Sequence, residues 1–252
     1  MTVRMPDAYT LERAGAVRAA IRRDLVPRIG PWLLAPALEL PLVAERLGSG
    51  RGSAWRVELP GGLRVVVRLY RRGGLIARVV RETYVGPRPR PLHELAVTVE
   101  ARRRGVPAPE VLGARVEGGL VYRGALVTAE VPHAQTLFAA LREAAGDDAR
   151  CALAARAGLA VARLHDAGVY HADLNLTNLI VGPAAGDDVV VVDFDRARVR
   201  EGPLGRRSRR RNLARLGRSL AKLDPEGTLG GPALRRAFAA AYGTGAEAAC
   251  GS

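Results

Sequence analysis

"HADLNLTNLIVG", His171 to Gly182, and "VVVVDFDRAR", Val189 to Arg198, decide how this chain is read. Asp173 and Asn178 stand five residues apart, and Asp193 follows Asn178 by fifteen, at the end of an apolar run. Alone, either stretch is what a polar turn beside a buried strand contains, because Asp and Asn are common turn residues. In this order, after a punctuated helix, they match the three oxygen groups that phosphoryl transfer from a nucleotide requires. One carboxylate accepts a proton from the acceptor hydroxyl or orients it, while a carboxamide and a second carboxylate hold Mg2+ against the phosphates. A short loop and a following hairpin bring such groups to one edge; a helix would scatter them.

The flanking segments give this site a setting. Upstream, "DDARCALAARAGLAVARLHDAG" predicts a helix with Asp147 or Asp148 as N-cap, a stripe through Leu153, Ala157, Ala160 and Leu164, and Gly168 as its stop. Downstream, Arg206 to Leu223 predicts a basic helix with Leu213, Leu216, Leu220 and Leu223 on one side. Toward the N-terminus, "LVAERLGSGRGSAWRVEL" reads as strand, glycine-rich turn, strand, and "LRVVVRLY" as another strand. "PLHELAVTVEARRRG" predicts a helix with Pro91 in its first turn and Gly105 as its stop. Two or three strands follow between Val111 and Val131, and an amphipathic helix is expected over Ala8 to Leu25. Strands first and helices later predict an α+β, two-lobed protein. Its expected parts are a helical and apolar extension (1–42), a strand-rich N-lobe with one key helix (43–131), a compact, mostly helical C-lobe (132–240) and a frayed tail (241–252).

Composition narrows the partners. The 252 residues are 48% hydrophobic, enough for one large core or two small lobes, and carry a net charge of +14. Such a balance calls for phosphates or carboxylates: nucleic acid, an anionic membrane or an acidic small molecule. Aromatic content of 4%, with no zinc-finger spacing and no aromatic RNA-binding motif, argues against specific nucleic-acid recognition. Two cysteines without ligand spacing predict reduced thiols, and four scattered histidines argue against a zinc site. The N-terminus lacks the apolar run of a signal peptide, and Trp32 to Leu47 is too short and interrupted to span a bilayer. The lone lysine is Lys222, so any cationic role earlier in the chain falls to arginine.

Four stretches, "VVVRLYRRGGLIARVVRETYVG", "HELA", "YHADLNLTN" and "DFDRAR", together resemble the 3-deoxy-D-manno-octulosonic acid (Kdo) kinase family of Gram-negative bacteria. That family is part of the lipopolysaccharide kinase group of the protein-kinase-like superfamily, and the resemblance runs from about Gly48 to Leu223. It implies a protein-kinase-like two-lobed fold and an ATP- and Mg2+-dependent transfer to the 4-hydroxyl of Kdo in a Kdo-lipid A precursor. Asp173 would be the base or orienting carboxylate, and Asn178 and Asp193 the Mg2+ ligands. Gly48, Gly50 and Gly52 would lie over the nucleotide phosphates, where missing side chains permit close backbone approach. Glu94 would pair with Arg68, which stands where kinases place a phosphate-handling lysine; the plainer alternative is that Arg68 caps an exposed strand edge. His171 would support the loop through hydrogen bonds.

Some positions depart from the wider superfamily. The "GSGRGS" loop ends in serine, Asp195 replaces a glycine usual in protein kinases, and Asn175 stands where many kinases have lysine or histidine. A sibling kinase for heptose, another envelope sugar or an antibiotic, or a nucleotide-binding module without activity, are the competing readings. The implied setting is peripheral, on the cytoplasmic face of the inner membrane, where an anionic surface and an acidic glycolipid acceptor meet the arginines. Arg71, Arg72, Arg78, Arg81 and Arg196 are the expected acceptor contacts. His93 and His165 are read as ordinary helix residues.

Overall fold

In the computed structural model the described residues are 4–41, 43–47, 53–70, 84–85, 89–182 and 189–248. Their contacts divide the chain into two compact units, Thr2–Val99 with Glu110–Glu130, and Glu100–Pro109 with Val131–Ser252.

The first unit opens with a hairpin, β1 (Tyr9–Ala14) and β2 (Val17–Arg22), with Ala14 opposite Val17. This corrects the helix expected over Ala8 to Leu25. Gly15 takes φ +56° at the two-residue turn, a conformation that glycine adopts freely. The apolar spacing here suits either period, and pairing of β2 with a later strand decides for the sheet. A short helix, α1 (Val26–Leu33), follows, with a proline near its start. Next come β3 (Glu45–Leu47), β4 (Ser53–Leu59), β5 (Leu63–Leu69) and β6 (Tyr84–Val85). Helix α2 (Arg90–Arg103) precedes β7 (Val111–Gly118) and β8 (Val121–Ala129). Among the described residues the strands form one antiparallel sheet in the order β1-β2-β7-β8-β5-β4-β3, with β6 on β8. Ile29 and Leu33 of α1 pack on Ile21, Val57, Val65 and Val67. Leu95 of α2 packs with Tyr9, Ala20, Ala114 and Leu126. Each buried Val, Leu or Ile among them contributes about 1.5–3 kcal/mol.

The second unit holds β9 (Gln135–Thr136), α3 (Leu137–Glu143) and α4 (Gly146–Asp166). The short strands β10 (Val169–Tyr170), β11 (Leu179–Val181), β12 (Val189–Val191) and β13 (Arg198–Val199) follow, then α5 (Arg206–Leu223) and α6 (Pro232–Ala248). Ala145, not Asp147 or Asp148, is the N-cap of α4; the two carboxylates lie in the first turn, where the helix dipole favours them. Helix α6 continues through Ala248, so most of the tail expected to fray is helical.

Helices α4, α5 and α6 are joined by a polar network. His165, on α4, is buried and not an ordinary helix residue: Nδ1 lies 2.9 Å from the Tyr242 hydroxyl and Nε2 3.3 Å from Asn212 Oδ1. The Asn212 amide nitrogen donates to the His171 carbonyl at 2.7 Å, and its Oδ1 accepts from the His171 backbone N–H at 3.3 Å. Asn212 Oδ1 is thereby an acceptor, so His165 carries its proton on Nε2 and accepts from Tyr242 at Nδ1. Burial, with the Arg209 charge adding to it, pushes His165 down to about 4. Burial also lowers His171, outweighing the Val192 carbonyl and the carboxylates of Asp193 and Asp173.

Close packing and this network generate two predictions. A Cβ on Gly158 of α4 would collide with the Phe238 carbonyl of α6 and stand 3.1 Å from the Tyr242 nitrogen. Gly158→Ala is therefore expected to lose about 1–3 kcal/mol in urea unfolding, whereas an unchanged midpoint would contradict the packing. Unfolded, His165 binds a proton near its ordinary value; folded, only near 4. The unfolded chain holds more protons in that interval, so stability is complete above about pH 6.5 and falls as pH drops toward 4. Between about pH 7.5 and pH 5 the loss from His165 is roughly 2 kcal/mol. His165→Gln is expected to flatten that slope by the same amount, read from paired urea titrations; an unaltered slope would remove His165 as its source.

Candidate active site

The loop between β10 and β11 is built by its own side chains. Asn175 Oδ1 accepts from the Thr177 and Asn178 backbone N–H groups at 2.9 and 3.0 Å and from the Thr177 hydroxyl at 2.7 Å. Its amide nitrogen donates to the Asp173 carbonyl at 3.0 Å. This side-chain-to-backbone turn uses both ends of the Asn175 amide to fix the shape of the loop.

The loop is then tied to the neighbouring strand. Leu179 stands opposite Val191, and the Val192 N–H donates to the Asn178 carbonyl at 2.9 Å. Below it, His171 Nδ1 accepts from the Asp173 N–H at 3.3 Å, while Nε2 faces the Val192 carbonyl at 3.0 Å and donates to it. The structure thereby brings Asp173, Asn178 and the residue preceding Asp193 into one hydrogen-bonded unit. Asp193 has φ 68° and ψ 61°, a left-handed conformation that Asp tolerates better than most residues. Phe194 anchors the turn beyond it, buried and edge-on to His171 with centroids 5.5 Å apart.

The Asn178 amide nitrogen donates to the Asp173 carbonyl at 2.9 Å. A carbonyl accepts only from the NH2 end, so Asn178 Oδ1 is the end left for a ligand. Asn178 Oδ1 and the Asp193 carboxylate are both hard oxygen donors of the type that Mg2+ takes. Asp173 itself is half-exposed, and its Oδ1 lies 3.1 Å from Arg215 Nη1 of α5.

In the strand-rich unit, Arg68 of β5 and Glu94 of α2 are an ion pair at 2.8 Å. Glu94 is 2% exposed, and its second oxygen accepts from the Tyr70 hydroxyl. The Arg68 guanidinium lies 4.9 Å from the centroid of the Tyr70 ring. Arg68 caps no exposed edge, because β5 has β4 on one side and β8 on the other. Gly48, Gly50, Gly52, Arg71, Arg72, Arg78 and Arg81 lie outside the described residues. Arg196 is exposed, on the turn three residues past Asp193. The sequence reading missed Tyr70, Asn212 and Arg215. Only their residue types were visible there, since the partners of Asn212 and Arg215 lie more than forty positions away.

Comparison with known proteins gives the family. Residues 42–234 match the model of the lipopolysaccharide kinase (Kdo/WaaP) family. The 3-deoxy-D-manno-octulosonic acid kinase of Xanthomonas campestris pv. campestris is 39% identical over 205 residues, 78% of this chain and 79% of that one. The enzyme of the same name from Vibrio parahaemolyticus is 33% identical over 178 residues, 69% of this chain and 71% of its own. The solved structure of WaaP in complex with acyl carrier protein matches with a TM-score of 0.53 at 21% identity, over 80% of this chain and 78% of that chain. The fold is the α+β, protein-kinase-like one that the resemblance implied. The chain belongs to the lipopolysaccharide kinase (Kdo/WaaP) family.

Proposed function

We propose that this protein is a Kdo kinase, moving the γ-phosphate of ATP to the 4-hydroxyl of Kdo in a Kdo-lipid A precursor. The observation that carries the reading is the hydrogen-bonded arrangement of Asp173, Asn178 and the strand end leading to Asp193. The relatives named as Kdo kinases supply the acceptor.

In this reading Asp173 takes the proton of the acceptor hydroxyl as that oxygen bonds to phosphorus, and the bond from phosphorus to the ADP oxygen breaks. Asn178 Oδ1 and Asp193 hold Mg2+, which neutralises phosphate charge. Arg68, oriented by Glu94 and Tyr70, carries a phosphate oxygen of the nucleotide. Catalysis is then mostly positioning and electrostatics. Gly48, Gly50 and Gly52 complete the nucleotide contacts, and Arg71, Arg72, Arg78, Arg81 and Arg196 remain the sequence-derived acceptor contacts. The protein works peripherally, on the cytoplasmic face of the inner membrane. Among the described residues no helix is long and apolar enough to cross a membrane, and the net charge of +14 suits an anionic surface.

The test is incubation with Mg-ATP and a purified Kdo-lipid A precursor, followed by mass spectrometry. One added phosphate is expected, and Asp173→Asn should cut turnover by roughly 100-fold or more with circular dichroism unchanged. Phosphate on a different sugar would replace this reading with a sibling activity. Arg68→Ala should lower turnover by roughly 100-fold, and Arg68→Lys, which keeps charge without the planar fork, by less. Near-normal rates in Arg68→Ala would remove it from the nucleotide site.

A further inference from the structure

Helix α5, "RRSRRRNLARLGRSLAKL", contains no acidic residue. At about 100° per residue, Arg207, Arg211, Arg215, Arg218 and Lys222 fall within roughly 80° of its circumference. All five are exposed, while Asn212 and Leu216 on the other side are buried. Among the described residues only Arg215 of the five has a carboxylate partner, and that partner is Asp173.

The stability of the helix does not account for this pattern. The first turn of α5 has no acidic residue and several arginines, set against the positive end of the helix dipole. Arg207, Arg211 and Arg215 add like-charge neighbours four apart, which also oppose helix formation. The exposed pair with Asp173 contributes little to stability. A repulsive row of this kind is explained by an anion that lies along it.

The row also passes the candidate site, at Arg215. Asn175 spends its side chain on the loop, so the cation beside Asp173 comes from α5. The guanidinium of Arg215 uses one of its five N–H donors on Asp173, leaving others for a second acid group. From Arg215 to Arg207 the helix rises about 12 Å, so the cations are spread along the face rather than gathered at one point.

We propose that the exposed face of α5 binds the acid groups of the acceptor, with Arg215 gripping the sugar carboxylate beside Asp173 and Arg207 and Arg211 holding the phosphates further along. Arg215 thereby selects an acidic sugar and sets which hydroxyl reaches Asp173. This rests on the Kdo kinase reading, so its test does not use catalysis.

Binding is measured by co-sedimentation without nucleotide, on neutral phosphatidylcholine vesicles carrying a Kdo-bearing lipid A precursor, the same precursor without Kdo, or phosphatidylglycerol. Wild-type protein is expected to prefer the Kdo-bearing vesicles. Arg215→Ala should abolish that preference while keeping binding to the precursor without Kdo, and Arg215→Lys should restore part of it. The pair Arg207→Glu with Arg211→Glu should weaken binding to both precursors by at least tenfold, with the thermal midpoint no lower than that of wild type. Variants that bind all three vesicles as wild type does would overturn the proposal. So would variants that lose only phosphatidylglycerol binding, since the row would then serve a general anionic surface. Absence of phosphate transfer to Kdo by wild-type protein, with these binding differences intact, would sink the kinase reading alone.

Discussion

An uncharged imidazole, that of His171, is the part on which the candidate site depends. With a proton on one nitrogen only, the ring accepts from the Asp173 backbone and donates to Val192 at once. A charged ring would have two donors and could not accept the Asp173 N–H. Burial keeps it neutral, and Asn212 holds its backbone from both sides. The backbone at Asp173 and just before Asp193 is thus held by one ring, which spends both nitrogens on it.

That arrangement explains why the site is built from short elements. Strands β10 to β13 are two or three residues each, too short to be stable as isolated pairs. Asn212 of α5 holds the residue that follows β10, His171, and His165 and Tyr242 tie α4, α5 and α6 together behind it. The helical unit therefore has two jobs: it buries apolar surface, and it stiffens a loop whose own hydrogen bonds are local. Asp193 in its left-handed conformation belongs to the same economy, since Phe194 next to it is locked against His171. Backbone strain of that kind is found where surrounding structure over-determines a residue.

How much of this was legible in the sequence follows from the range of each interaction. Asp173, Asn178 and Asp193 lie within twenty-one consecutive residues, so their order and types were readable before any contact was known. Helices α2, α4 and α5 were readable from proline, glycine and apolar spacing. The β1–β2 hairpin was not, because alanines satisfy either period and the decision came from pairing with β7, about a hundred residues away. Helix α6 was hidden by its small residues; it is held against α4 by close backbone approach at Gly158, a contact no local pattern records. Arg215 and Asn212 looked like parts of a basic helix and a leucine stripe, and only the fold brings them to the loop.

The near-absence of lysine has a practical side. Guanidinium groups stay protonated throughout the physiological range, so the cationic face of α5 is immune to both deprotonation and acetylation except at one point. That point is Lys222, exposed in the last turn of the helix. Amine-directed labelling would therefore modify a single side chain, at the end of the cationic row, and place a spectroscopic reporter there without disturbing any arginine.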